Sequence, residues 1–451
     1  MDKRRLEIEI TDLAFNGRAV GHVEGKVVFL DGGLPGEKVL AEIINSRPRY
    51  DEATVLDIIR KSDRRVAAPC SHFDYCGGCT WQDLTYQDQL GFKKKQVVDC
   101  LERIGGLEDT RVLDVFGSVE VFRYRNKMEF SFNVAGDGGF TLGLHRRGRF
   151  DEIFDLDKCH LTPDIASHIV GWVRDYVKRT NLSVYDVSNH CGYMRFVMIR
   201  QAKRTADLMV NLVTNYGDFP EPDKLVRSMT AAFPGISTIV HNQNGRKANI
   251  ATGEIEKVLI GCGYIEERLF ESVFRIRANS FFQTNSIQTE TLYRAGFDLL
   301  EARPDNRVLD LYCGTGSIGI LLAGYVDEVT GVELVADAVQ TARENAHLNK
   351  VRNVNFVEGD VKDFLRDSVK ADKSYDTVIV DPPRAGLHPK ALKRLVRLNP
   401  QKILYISCNP STFARDAKEI VTAGYVLPQV RPVDMFPHTM HIELASVFKR
   451  K

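Results

Sequence analysis

The stretch Val308-Leu309-Asp310-Leu311-Tyr312-Cys313-Gly314-Thr315-Gly316-Ser317-Ile318-Gly319 decides how the second half of the chain reads. An apolar strand runs into Gly314, Gly316 and Gly319, a G-x-G-x-x-G pattern at a strand-to-helix turn. Glycines there let the backbone turn sharply and let a ligand approach it closely. Outward from this loop, short β-branched or apolar runs recur at Arg307–Leu311, Glu328–Glu333, Asn355–Glu358, Thr377–Val380 and Lys402–Ser407. Helical patterns fall between them at Ser317–Ala323, Ala336–Leu348 and Pro389–Leu398. That alternation predicts a doubly wound, Rossmann-like α/β domain with a mostly parallel sheet over residues 273–451.

The glycine loop alone fits both dinucleotide enzymes and S-adenosylmethionine (SAM) methyltransferases. Two further strand ends separate them. Glu333 closes the next strand, where a carboxylate can accept from both ribose hydroxyls. Asp381-Pro382-Pro383-Arg384 closes a later one, and ligands of open α/β sheets bind beyond the carboxyl ends of strands. A dinucleotide leaves the Asp-Pro-Pro loop unexplained; SAM uses all three features. Methylation of an adenine amino group is a rival chemistry, but it calls for an aromatic after the prolines, and Arg384 stands there.

The strand Ile403-Leu404-Tyr405-Ile406-Ser407 delivers Cys408 to the same sheet end, with Asn409-Pro410 marking its exit. A thiolate beside a methyl donor has a use on uracil. Carbon 5 is a poor nucleophile until a thiolate adds at C6, and a base must then remove the C5 proton. Near the C-terminus, Glu443 is the preferred base, with His438 and His441 as weaker candidates.

Upstream, alternating apolar stretches and turn clusters over residues 1–62 predict a small OB-like β-barrel. It is charge-balanced, with twelve basic and twelve acidic residues through position 65. A helix is expected from about Tyr86 to Ile104, a strand over Val121–Val134 and a helix over Thr162–Thr180, within an α+β central domain spanning 63–272, with the helix at 86–106 a candidate to pack on the catalytic domain. Cys70, Cys76 and Cys79 crowd around Gly77-Gly78, so three thiolates can reach one metal centre. Zinc and an iron–sulfur cluster fit equally, and the fourth thiol is to be found among Cys100, Cys159 and Cys191. Phe73, Tyr75 and Trp81 are candidates for stacking on bases.

The 451 residues carry 61 basic and 60 acidic side chains, a formal charge of +1, so any nucleic-acid site is a local patch. Arg123, Arg125, Lys127, Arg146, Arg147 and Arg149, with only Glu129 and Asp137 against them, supply one, interleaved with Tyr124, Phe130 and Phe150. No apolar run approaches membrane-helix length, and the first residues lead into a strand rather than a signal-peptide core. Nine cysteines, one cluster and scattered singletons suit a reducing compartment. A cytoplasmic protein with no membrane or DNA partner is expected.

Phe282-Gln283-Thr284-Asn285, Asp310–Gly316, Asp381-Pro382-Pro383-Arg384, Ser407-Cys408-Asn409-Pro410 and His441-Ile442-Glu443 together resemble the bacterial RNA uracil-5-methyltransferases, most closely the branch acting on 23S ribosomal RNA. The resemblance spans nearly the whole chain. It implies a class I SAM-dependent methyltransferase domain behind a TRAM barrel, to which Leu34-Pro35-Gly36-Glu37 is the most similar stretch. It further implies Cys408 as nucleophile, Glu443 as base, and Gln283, Tyr312, Glu333 and Asp381 as SAM contacts. It chooses Cys159 as the fourth ligand beside Cys70, Cys76 and Cys79, and a [4Fe–4S] cluster as the metal group. The substrate so implied is a flipped-out uridine in a single-stranded rRNA loop, bound by a monomer; the tRNA T-loop is the nearest alternative, and a noncatalytic RNA-binding factor that keeps the SAM fold is the reading from another class.

Overall fold

In the computed structural model, residues 4–15, 17–135 and 138–451 are described, the side chain of Phe150 excepted. Among these residues the strands Arg5–Leu13, Ala19–Val23, Lys26–Asp31, Lys38–Ser46 and Tyr50–Arg60 close into a barrel. Ile8, Ile10, Val28, Leu30, Val39 and Ala53 alternate inward to fill it, and Trp81 and Leu84 from the following segment join that core. Trp81 is therefore packing, not a base-stacking surface, and Phe73 is likewise buried. The turn at Gly33 takes a φ of 83°, and a Cβ there would lie 2.3 Å from Ile10 Cδ1, so only glycine fits.

Glu37, wholly buried, ties the barrel to the segment that leaves it. Its carboxylate accepts two hydrogen bonds from Arg65, at 2.6 and 2.9 Å, and one from the Leu34 amide. Burial works to raise its pKa, but the Arg65 and Leu34 hydrogen bonds outweigh that and hold it below the ordinary 4.5. The depressed pKa stabilises the fold above the unfolded-state value and ceases to do so as pH falls through the folded one. Glu37→Ala removes two of the Arg65 hydrogen bonds and leaves Asp83 as its remaining carboxylate partner; it is expected to cost about 1–3 kcal/mol, read as a lower urea midpoint at pH 7 with the gap from wild type closing toward pH 3. An unchanged midpoint at pH 7 counts against this role for Glu37.

The central sheet runs in the order Ile255–Ile260, Ile236–Gln243, Leu208–Thr214, Met194–Gln201, Lys127–Val134, Phe140–Arg146, Arg149–Asp155. Helices Asp164–Thr180 and Pro222–Ala232 cover one face through Ile169, Val173, Leu225 and Met229. On the other, Met198, Met209 and Val240 join the core of the C-terminal half. The strand expected from Val121 begins only at Lys127. Arg123 sits at φ 55°, and the amides of Arg123 and Arg125 donate to His160 and Leu161 carbonyls, so this backbone is spent on a loop rather than a ladder.

The C-terminal sheet has the order Val354–Glu358, Glu328–Glu333, Arg307–Leu311, Thr377–Val380, Lys402–Ser407, Glu443–Arg450, Gln429–Val433, Arg111–Val112. The first five strands are mutually parallel; Glu443–Arg450 inserts antiparallel against Lys402–Ser407. Helix Tyr86–Cys100, capped by the Thr85 hydroxyl, packs here through Val97 and Cys100, and Leu101, Leu107 and Val112 after it join the same core. No helix among the described residues is long and apolar enough to cross a membrane.

Candidate active site

Register alone brings the site together. Leu311 pairs with Val332 and with Val380, so Tyr312, Glu333 and Asp381 each stand one residue beyond these paired positions, in one row. Ser407 pairs with Leu444, the last pair of that ladder, so Cys408 and Glu443 stand one residue beyond it at the same end of adjacent strands, close enough for the Glu443 charge to act on the thiol. The thiol is partly exposed and the carboxyl is buried. Because Thr377–Val380 and Lys402–Ser407 are neighbours, the Asp381 and Cys408 ends emerge side by side.

The loop between strand and helix is shaped as a ligand cradle. Tyr312, Gly314 and Gly316 all take positive φ, at 63°, 54° and 82°. A Cβ on Gly316 would meet Phe356 at 2.6 Å, and one on Gly319 would meet Asp310 Oδ2 at 3.1 Å. The Glu333 carboxylate accepts from the amides of Gly314, Leu334 and Val335, which fixes its position at the strand end. Gln283 lies just before helix Ser286–Leu300; its carbonyl accepts from Asn126, while Asn285 caps the helix and donates to the Met435 carbonyl. Phe281, 70% exposed, presents a free ring two residues from Gln283. Its place in the chain does not mark it out, since a lone phenylalanine reads as core until its exposure is known. An aromatic left in solvent beside a cleft is a recognition signal.

Acid groups dominate the electrostatics. Burial pushes Asp381 up to about 7 and Asp310 up to about 8, the latter also through the charge of Asp381. Burial, then the charges of Glu443 and Asp381, drive the Cys408 thiol up to about 12, with Arg384 working against them. Glu443 is raised well above 4.5 by burial and then by Asp381, again opposed by Arg384. One of its oxygens, Oε2, is buried without a hydrogen-bond partner among the described residues. A carboxyl so placed is a stronger base than a solvated one. Of the weaker base candidates, His438 is buried and stacked on Phe122 at 4.2 Å, its pKa driven to about 4 by burial. His441, also driven to about 4 by burial, lies 3.3 Å from the Arg384 guanidinium.

Cys70, Cys76, Cys79 and Cys159 line one cavity of about 560 Å³. Cys100 is packed in the C-terminal core instead, and Cys191 is exposed. Among the described residues no group of three or more His, Cys, Asp or Glu side chains could hold a metal ion as they stand; what the four thiols share is a space rather than a point. Its walls suit thiolates: the Gly78 amide donates to Cys76 Sγ, Gln82 donates to Cys79 Sγ, and Arg125 and Arg146 line it. Burial pushes the Cys79 thiol up to about 12, with Cys159 adding to the effect. Burial raises Cys70 and Cys76 as well, so these three thiols are costly to ionise together without a cation among them.

The basic stretch stays exposed at Arg123, Arg146 and Arg149 but is laced with ion pairs. Arg123 pairs with Asp164, Arg146 with Glu152, Arg149 with Asp151 and Glu152, and Lys127 with Glu129. Arg147 donates to the Phe73 and Cys79 carbonyls and so braces the cysteine loop. Tyr124 and Phe130 are wholly buried and cannot stack on bases. Asp137 and the Phe150 side chain lie outside the described residues. Acidic neighbours offset part of this charge, and Arg147 is taken up by carbonyls of the cysteine loop.

The glycine cradle, the aligned strand ends and the parallel sheet define a class I SAM-dependent methyltransferase. A family model for tRNA (uracil-5-)-methyltransferases matches residues 238–451, and one for the TRAM domain matches residues 1–56. An uncharacterized RNA methyltransferase of Chlorobaculum tepidum is 40% identical over 99% of this chain and 96% of its own. One from Listeria monocytogenes is 38% identical over 98% and 97%. Among solved structures, the Pyrococcus abyssi tRNA (uracil-54, C5)-methyltransferase in complex with S-adenosyl-L-homocysteine is 32% identical, with a TM-score of 0.79 over 98% of this chain and 99% of that one. The chain belongs to the RNA (uracil-5-)-methyltransferase family.

Proposed function

We propose that this enzyme methylates C5 of a uridine in 23S rRNA through a transient covalent adduct, with Cys408 as nucleophile and Glu443 as base. The observation that carries the reading is that the ladder ending at Ser407 and Leu444 leaves Cys408 and Glu443 together at one end of adjacent strands, where the charges of Glu443 and Asp381 both act on the thiol. Gln283, Tyr312, Glu333 and Asp381 hold SAM in this reading; when bound, it supplies an electrophilic methyl group on a sulfonium.

The residues then act in order. The Cys408 sulfur lone pair forms the S–C6 bond, and the C5=C6 electrons make C5 enolate-like. Carbon 5 takes the methyl group, the S–CH3 pair staying with the departing thioether. Glu443 takes the C5 proton; the C–H pair restores C5=C6 and the S–C6 bond breaks to return the thiolate. Arg384, which opposes the rise in pKa of both groups, favours the thiolate and the carboxylate. A uracil stacked in a helix cannot meet Cys408, so the target is a single-stranded uridine turned out of its stack, with the exposed Phe281 ring available to its face.

Cys70, Cys76, Cys79 and Cys159 hold a [4Fe–4S] cluster in this proposal, which crosslinks the loop at 70–79 to the strand-flanking segment at 159. The reaction needs no electron, so its contribution is structural. Cys79→Ser is expected to remove the cluster iron and lower the Tm; a purified wild-type protein carrying zinc and no iron overturns the assignment.

The barrel and the cysteine loop favour the rRNA branch by resemblance. A tRNA loop uridine is the second reading, favoured by the likeness to the archaeal tRNA enzyme over 98% of the chain. Mapping 5-methyluridine in 23S rRNA and tRNA from cells with and without the gene decides between them.

A further inference from the structure

Between strands Gln429–Val433 and Glu443–Arg450, residues 434–442 belong to neither helix nor strand. They determine where Glu443 enters its strand, and besides a few bonds within the segment their polar groups find partners on other elements. Lys93 and Asp434, both with side chains 0% exposed, form an ion pair at 2.7 Å. Lys93 also donates to the Phe436 carbonyl, and Tyr86 donates to the other Asp434 oxygen. One turn away on the same helix, Gln89 accepts from the His438 amide at 2.8 Å and lies 3.2 Å from the His438 ring nitrogen. The amides of Thr80 and Trp81, next to Cys79, both donate to the His438 carbonyl, and Tyr124 donates to that of Pro437. His438 is held at a φ of 65°, a conformation costly outside glycine.

A buried ion pair is a poor way to gain stability, since apolar residues of like volume do as well or better. Its directional hydrogen bonds do fix geometry. We infer that Lys93 and Asp434 are positioning residues that hold the segment 434–442 so that Glu443 stands opposite Cys408 when the C5 proton is removed. This rests on the covalent reading proposed for Cys408 and Glu443. It assigns helix Tyr86–Cys100 a role in the second half of the reaction, after methyl transfer.

The test separates the two halves. RNA from cells lacking the gene, grown on [5-³H]uridine, is incubated with enzyme and methyl-¹⁴C-labelled SAM. Wild type releases one tritium for each methyl group incorporated. Lys93→Met/Asp434→Asn, which leaves no unpaired buried charge, is expected to methylate RNA in its first turnover while tritium release lags about tenfold or more, with RNA held on the protein in denaturing gels. Gln89→Met, which keeps the ion pair but loosens His438, should show the same split more weakly and guards against a double variant that does not fold. S-adenosylhomocysteine binding reports folding in each. Tritium and methyl falling together, or neither falling, in folded variants overturns the inference. A Cys408→Ala enzyme that still releases tritium defeats the covalent reading instead, a distinct result.

Discussion

Cys408→Ala is expected to abolish methylation, by roughly 10⁴-fold or more, while SAM binding stays at the wild-type level. The size of the effect comes from the chemistry. Without sulfur at C6, no electron density reaches C5, and the rest of the site has nothing to act on. SAM binding survives because the proposed contacts Tyr312, Glu333 and Asp381 sit on other strands, and alanine keeps the backbone at the strand exit. Calorimetric titration with SAM beside a methyl-incorporation assay gives both halves of the claim. Undiminished methylation in this variant eliminates the adduct; loss of SAM binding shows the thiol to be structural. Wild-type enzyme and RNA containing 5-fluorouridine, which has no C5 proton to lose, should form a complex that survives denaturing gels, and Cys408→Ala should form none.

The features that bore on this chemistry were legible because they are backbone demands written in residue type. Gly314, Gly316 and Gly319 announce a turn, and Asp381-Pro382-Pro383 and Asn409-Pro410 announce strand ends. With strand exits located, a parallel sheet aligns them without further information. What sequence did not reveal was partnership over distance. Lys93 and Asp434 are 341 residues apart in the chain; sequence set the helix against the catalytic domain, but nothing in it paired Lys93 with a carboxylate in a loop near the C-terminus. The basic residues show the same limit: sequence did not reveal that Asp164, forty-one positions on, pairs with Arg123, or that Arg147 turns to the Phe73 carbonyl. Trp81 failed for a related reason, its partners being the interior of a barrel formed some twenty residues or more earlier.

Glu443→Gln is expected to leave the first half of the reaction running and stop the second. Glutamine keeps the shape of the side chain and cannot take a proton, so the methylated adduct forms and then persists. Turnover should fall by about 10²–10⁴-fold, the usual worth of a positioned base, while one methyl group per enzyme is still transferred and remains attached to protein-bound RNA. Dependence on pH distinguishes this from simple damage. Burial and the charge of Asp381 raise the Glu443 pKa, so wild-type turnover should climb with pH as that carboxyl ionises, along a limb displaced upward from the range of a solvated glutamate. In the glutamine variant that limb should vanish from the residual rate. A variant that turns over slowly, accumulates no adduct and retains the limb assigns proton removal to another group; His441, beside Arg384 and two residues away, is then the first to replace.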